Sequence, residues 1–323
     1  MHFVAIVVYP GVELLDVAGP ASVFNVTNRV LTHRGEASFY KVTLVSAEGR
    51  EVATSSGVTL GTRPIAKLRP AQAQTVLIAG AEGEHLRPAL RDATFHTAIP
   101  RLVAKAERFG SVCSGGYFLA ALGLIDGCRI AAHWDACATL ARKYPKITVD
   151  PDALYVVDGP LWTSAGVTTG IDMALAMVAN DLDAAIASEV AKRLVLYARR
   201  PGYQSQFSPV LQAQLKADNP FAELIAWILV HLDEPLDVPS LAARAKLSER
   251  TFHRRFVAAT GKTPANFVET VRLDAARMLL SRGLSLKSVA AKVGLFPASR
   301  FAEAFERRFG LHPRLFREMH ATL

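Results

Sequence analysis

Near its C-terminus this chain writes the same pattern twice, and that repetition restricts its fold more than any other feature. Leu241–Phe267 reads LAARAKLSERTFHRRFVAATGKTPANF, and Val289–Phe316 reads VAAKVGLFPASRFAEAFERRFGLHPRLF. Leu241 and Ala242 match Val289 and Ala290 at an offset of 48; Phe252, Phe256, Gly261, Pro264 and Phe267 match Phe301, Phe305, Gly310, Pro313 and Phe316 at an offset of 49. The extra residue is expected in the turn between the two matched blocks, where length varies easily. Each copy has a short apolar helix, a turn, and a helix with Phe four residues apart that ends at Gly and then Pro. That is the pattern of a helix-turn-helix unit. Thr263-Pro264 supplies an N-cap followed by Pro at the first helical position. Val268, Val271, Ala275 and Met278 then recur at helical spacing and predict one long helix joining the two units. Two copies are too few for a solenoid.

Charge separates this region from the rest. The chain has 323 residues and a formal charge of +8. Residues 1–200 carry 20 Lys/Arg against 18 Asp/Glu, whereas residues 240–323 carry 16 against 6. A basic tail on a near-neutral body implies a polyanionic partner for the tail alone. In a helix-turn-helix the second helix lies in the DNA major groove. With Phe252 and Phe256 turned to the core, Arg250, His253 and Arg254 point outward. In the second copy Ser299, Arg300 and Glu303 are the outward candidates, with Arg307 and Arg308 placed for phosphates. Arginine offers guanine two parallel donors. Any one of these arginines alone is equally well read as a solvated surface charge; duplication in register is what points to DNA.

The first 200 residues alternate strand and helix patterns. Strands are expected at Phe3–Tyr9, Lys41–Ser46, Thr75–Ala79, Gly110–Cys113, Arg129–Ala132, Leu154–Val157 and Leu161–Ser164. Helices are expected at about Val12–Val26, Phe95–Arg108, Ser114–Leu124, His133–Tyr144, Gly170–Asp181 and Ala184–Ala198. This alternation implies a mostly parallel sheet covered on both faces. The polar segment RRPGYQSQFSP (Arg199–Pro209) marks a boundary, giving an α/β domain at 1–198, a linker at 199–219 and a helical domain at 220–323. Three cysteines, Cys113, Cys128 and Cys137, show no CxxC spacing, which argues against a disulfide framework and a structural zinc site. The N-terminal apolar run is about seven residues long, reads as a first strand rather than a leader, and leads to an expected cytoplasmic location. No segment has the roughly 18 apolar residues that span a bilayer.

VCSGG (Val112–Gly116) places a thiol at a sharp strand-to-helix turn, the geometry of a nucleophile elbow, where a helix N-terminus lowers a thiol pKa. Backbone N–H groups at such a turn can hold an anion. His133 and Asp16 also follow strands, and strand ends on one side of an open α/β sheet converge on a ligand crevice. Each residue has a plainer account: a small apolar cysteine, a helix-capping Asp16, a His133 bonded to a carbonyl.

The tail, through GKTPANFVETVRLDAARMLL and ERRFGLHPRLFRE, resembles the AraC family of bacterial transcription regulators over about residues 217–323. That resemblance implies two helix-turn-helix units in successive major grooves. Glu303 departs from the basic or neutral residue its relatives carry there; it can accept from cytosine N4 or repel phosphate. Residues 1–190 resemble the ThiJ/PfpI-type domain of the class I glutamine-amidotransferase-like superfamily. The match lies in YPGVELLDVAGP (Tyr9–Pro20), VCSGGYFLAALGLIDGCRIAAHW (Val112–Trp134) and DGPLWTSAGVTTGIDMAL (Asp158–Leu175). The whole chain, with RRPGYQSQF at its junction, is similar to the GlxA-type subgroup of AraC regulators.

The resemblance implies a flavodoxin-like doubly wound parallel sheet followed by an all-α double helix-turn-helix domain. It makes Cys113 a candidate nucleophile, and puts Asp16 and Ser114 where isocyanide hydratase has its catalytic Asp and a Thr. Ser114 replaces the His that follows the cysteine in PfpI-type proteases, and IAGAEG departs from the usual Gly-Gly. In the regulator subgroup such a domain senses a ligand and dimerises, so the expectation is a regulator rather than an enzyme. A small effector, an amino acid or quaternary amine by family analogy, would lie near Asp16, Gly80, Ala81, Cys113, Ser114 and His133. A homodimer, DNA and RNA polymerase are the implied partners, with no cofactor, metal or membrane. The alternative is a cysteine-dependent hydrolase or isocyanide-hydratase-like enzyme tethered to DNA.

Overall fold

The computed structural model describes residues 1–196, 200, 202, 206, 220–309 and 311–320. The chain divides into two compact units, Met1–Gln206 and Phe207–Leu323. Most of the expected linker, and Gly310, lie outside the described residues.

In the first unit the continuous apolar runs become strands buried on both faces. The strands are β1 (His2–Val7), β2 (Tyr40–Ser46), β3 (Val52–Ala53), β4 (Thr59–Leu60), β5 (Arg63–Pro64), β6 (Thr75–Ile78), β7 (Arg108–Val112), β8 (Arg129–Ala131), β9 (Thr148–Asp150), β10 (Tyr155–Asp158) and β11 (Leu161–Ser164). Seven form one sheet in the order β10-β11-β7-β6-β1-β2-β5. Its parallel centre, β2-β1-β6-β7-β11, has the flavodoxin order, and the crevice of such a sheet opens at the carboxyl ends of the strands beside β1 and β6. Only β10 runs antiparallel. Gly159, at φ +58°, turns β10 back onto β11. β8 pairs with β9 in a separate two-stranded ribbon, so the 129–132 strand expected for the main sheet lies outside it.

Two apolar layers flank the sheet. α1 (Leu14–His33) covers one face with α6 (Thr169–Asp181) and α7 (Ala184–Arg193), around Phe24, Met173 and Val190. α2 (Gly83–Ala89), α3 (Ala93–Val103), α4 (Gly116–Ala121) and α5 (Trp134–Lys143) lie in the second half of the wrap, with Phe95, Phe118 and Leu140 in the opposite layer. At the start of β7, buried Arg108 donates through Nη1 to Asp181 Oδ1 at 2.7 Å and ties the sheet to the end of α6.

The second unit is helical: α8 (Ala222–Val230), α9 (Val238–Arg244), α10 (Glu249–Thr260), α11 (Pro264–Ser281), α12 (Leu286–Lys292), α13 (Ala298–Phe309) and α14 (Pro313–His320). Short polar residues cap the helix starts. Asp237 accepts from Ser240 N–H at 2.8 Å, Thr263 from Asn266 N–H at 3.3 Å and Ser285 from Ser288 N–H at 3.2 Å. Each cap satisfies a donor that the helix itself leaves unpaired.

The repeats fold alike. Phe252, Phe256, Phe301 and Phe305 are fully buried. Ring centroids are 5.4 Å apart for Phe256–Phe267 and 5.4 Å apart for Phe305–Phe316. In the turns, Leu247 N–H donates to Ala242 O and Leu295 N–H to Ala290 O, both at 3.0 Å. Lys246 and Gly294 hold the same left-handed position, at φ 55° and 63°. The offset of 48 therefore persists through Leu295, which puts the extra residue in Phe296–Ala298. The predicted joining helix is α11. Its N-terminal half closes the first aromatic core through Phe267, Val268 and Val271, and it also packs against α12 and α14.

Candidate functional site

Asp16, Gly80 and Cys113 all follow strands of the central sheet, after β1, β6 and β7. Cys113 has φ 59°, a left-handed conformation that an L-residue with a side chain rarely adopts. A single-turn 3-10 segment, Cys113–Gly115, then leads into α4. Glycines make the tight approach possible. An added Cβ would lie 2.8 Å from Cys113 Cβ at Gly80, 2.2 Å from it at Gly166, and 2.2 Å from Ile78 O at Gly115.

Asp16 is completely buried and sits in the first turn of α1. Its carboxylate accepts from Gly80 N–H at 3.0 Å and from Val167 N–H at 2.7 Å, and it lies beside the Cys113 thiol. Burial is the main influence on its acidity and outweighs these donors, so its pKa is pushed up to about 6. Burial and then the neighbouring Asp16 charge push the Cys113 thiol well up. The lowered thiol pKa expected of an elbow is thus reversed. A largely desolvated sulfur beside a carboxylate outweighs the N–H groups of one short turn.

Ser114 is turned onto the loop after β6. Its Oγ accepts from Ala81 N–H at 2.9 Å and donates to Ala81 O at 2.7 Å. His133 holds the N-cap position of α5 without a side-chain cap bond and is tilted against Trp134, with ring centroids 5.3 Å apart; burial lowers its pKa. Among the described residues, no hydrogen bond joins its ring to Cys113 or Asp16.

Ala81, Cys113, Ser114 and His133 line one cleft of about 730 Å³, whose walls also include Glu13, Arg87, Tyr117, Asp135, Lys143 and Val167. Asp16 and Gly80 lie behind its floor and shape it through Cys113. Gly166 and Val167 were missed as site residues. They fall in the DGPLWTSAGVTTGIDMAL stretch, but one contributes an absent side chain and the other a backbone N–H, neither of which has a sequence signature.

In the helical unit, Arg250, His253 and Arg254 are exposed on α10, and Ser299, Arg300 and Glu303 are exposed on α13. Arg307 and Arg308, the expected phosphate contacts, each hold an ion pair to α11. Arg307 Nη2 donates to Glu269 at 2.6 Å, and Arg308 Nη2 to Asp274 at 3.1 Å, with the Arg308 guanidinium 5.3 Å from the Phe309 ring. Both arginines tie α13 to α11, because the carboxylates of the joining helix face them.

A DJ-1/PfpI family model matches residues 2–180, and a helix-turn-helix domain model matches residues 241–319. The chain is 29% identical to the HTH-type transcriptional regulator CdhR of Pseudomonas aeruginosa, over 94% of this chain and 88% of that protein. It is also 29% identical to an isonitrile hydratase of Pseudomonas putida, over 62% of this chain and 81% of that enzyme. A ThiJ/PfpI family protein from Pseudomonas syringae has the same fold, at a TM-score of 0.54 and 20% identity, over 83% of this chain and 90% of that one. No helix among the described residues is long and apolar enough to cross a membrane.

Proposed function

The chain belongs to the DJ-1/PfpI family and joins that domain to a helix-turn-helix domain, and from this premise we propose that it is an AraC-type, sequence-specific transcription regulator responding to a small effector. One observation carries the DNA half of the reading. Two units of matched internal geometry each leave a helix face exposed, Arg250, His253 and Arg254 on one and Ser299 and Arg300 on the other. Such faces suit base edges in two major grooves.

The cleft beside Cys113 is the proposed effector site. Its walls hold both signs, Glu13 and Asp135 against Arg87 and Lys143, which suits a zwitterion such as an amino acid or a carboxylated quaternary amine. Pairing of two chains through the α/β unit, and contact with RNA polymerase, belong to the same proposal.

A second reading has an observation of its own. The left-handed Cys113 beside a buried carboxylate is the layout of a covalent catalyst, and one relative is a hydratase. Against turnover stand a thiol held protonated and a His133 without a bond to it. Catalytic or covalent use requires the sulfur, so an effector response unchanged in Cys113→Ala would exclude it.

The test of the regulator reading is selection of binding sites from random duplex by the full chain at 150 mM salt. The expected product has two motifs about one helical turn apart. Recovery of unselected sequence would refute it.

A further inference from the structure

RRPGYQSQF, at the end of the first unit, has the composition of a loose tether: Gly, Pro and polar side chains. Its three described residues are instead each fastened to the α/β unit. Arg200 N–H donates to Asp172 Oδ1 at 3.1 Å, and its Nε and Nη2 donate to Asp172 Oδ2 at 3.0 and 2.7 Å. Nη2 also reaches Thr168 Oγ1 at 2.8 Å. The Gly202 carbonyl accepts from Leu154 N–H at 2.7 Å and Tyr155 N–H at 3.2 Å. An added Cβ at Gly202 would lie 2.4 Å from Tyr155 O, so no larger residue fits. Gln206 Nε2 donates to Ala132 O and Ala153 O, both at 3.0 Å, and Gln206 N–H to Asp152 O at 2.8 Å.

The outer anchors fall on the two flanks of the Cys113 cleft. Thr168 directly follows Gly166 and Val167, which close on Cys113 and on the Asp16 carboxylate, and Asp172 lies in the first turn of α6 just beyond. Ala132 directly precedes His133, which lines the cleft. We propose that Arg200, Gly202 and Gln206 form a strap that carries the state of the cleft into the chain leading to the DNA-binding unit. An occupant that shifts Gly166–Val167 or His133 changes the strap's hold, and the strap's hold changes the cleft in return, because coupling between two sites is reciprocal. This inference rests on the cleft being the effector site.

Reciprocity makes the strap testable with a chemical probe in the full-length chain. Iodoacetamide alkylates Cys113 as the thiolate displaces iodide. The added carboxamidomethyl group is then an occupant of the cleft beside Gly166 and Val167, and the proposal requires it to shift that loop. Hydrogen exchange at Leu154 and Tyr155, the amides held by Gly202, should then quicken at least threefold. Cys113→Ser treated the same way should show no change, which removes Cys128 and Cys137 from the account. In the reverse direction, Gln206→Ala and Arg200→Gln should each alter the Cys113 alkylation rate at least threefold. Arg193→Gln, which loses an exposed pair with Glu189, should not.

Unchanged Leu154 and Tyr155 exchange in fully alkylated protein overturns the strap. So does an unchanged alkylation rate in both strap variants, or exchange that quickens equally throughout β1 and so reports general loosening. None of these readouts involves DNA. Their failure would leave the regulator reading standing, and loss of DNA recognition would leave the strap intact.

Discussion

Burial, and after it Asp16, sets what Cys113 can do. A carboxyl that is easier to protonate in the folded chain contributes most to stability below its unfolded pKa, near 3.8, and loses that contribution as pH rises through about 6. Above that pH the ionised Asp16 faces the thiol and holds its proton on. Asp16→Ala should therefore move the pH profile of Cys113 alkylation downward, by about tenfold in rate for each pK unit recovered. An unmoved profile would leave burial alone as the cause. The elbow and its cysteine are legible in VCSGG, and the acid in YPGVELLD. The direction of the thiol shift is not, since it depends on how closely chain segments some hundred residues apart are packed. A similar limit applies to Arg307 and Arg308, whose charges are visible in sequence while their partners on α11 are not. Arg254→Ala should relax preference at one base position at a cost of about 1–3 kcal/mol in binding. Arg308→Ala should behave oppositely. Its salt slope of DNA binding should stay unchanged if the ion pair with Asp274 occupies the guanidinium, whereas a flatter slope would show that it reaches phosphate. The unfolding free energy should drop by about 1–2 kcal/mol through loss of a charge-assisted bond.

At the scale of elements, the repeats are the part of the fold most fully written in sequence, because Phe spacing, capping residues and the terminal Gly-Pro each act locally. Elements that depend on distant partners were harder to read. The short strands β3, β4, β5 and β9 owe their assignment to pairing rather than composition, and β8 left the main sheet because β9 gave it another partner. RRPGYQSQF gave a boundary but no hint that Arg200, Gly202 and Gln206 are fastened, for their partners are backbone groups of distant segments, Thr168 and the buried Asp172. The duplicated turn offers a sharp test. Lys246 and Gly294 occupy equivalent left-handed positions, and only glycine does so without a steric cost of about 1–2 kcal/mol. Lys246→Gly should raise the unfolding free energy by about 0.5–1 kcal/mol, after the added flexibility of the unfolded chain is subtracted. A loss of stability in denaturant titration would mean that the Lys246 side chain makes contacts that outweigh its backbone strain.

At the scale of the molecule, one unit carries nearly balanced charge and the other a large excess of cations, so salt should separate their ligands. Added salt weakens DNA binding through counterion release, whereas a zwitterion in a cleft lined by both signs gains little net charge neutralisation and should respond weakly. Any communication between the units must obey linkage, whatever path carries it. If an effector changes operator affinity tenfold, operator DNA must change effector affinity tenfold in the same direction. L-arginine and trimethylglycine represent the two effector classes, and each can be titrated calorimetrically into the full chain with and without a selected operator duplex. The expected result is that whichever compound raises the melting temperature shows an affinity shift equal to the shift it causes in DNA binding. A compound that binds tightly but equally in both titrations would be an occupant without a signal, since equal affinity for two states moves neither. Binding of neither class, by a chain that still selects its operator, would leave a DNA-binding protein whose α/β unit responds to some other chemistry.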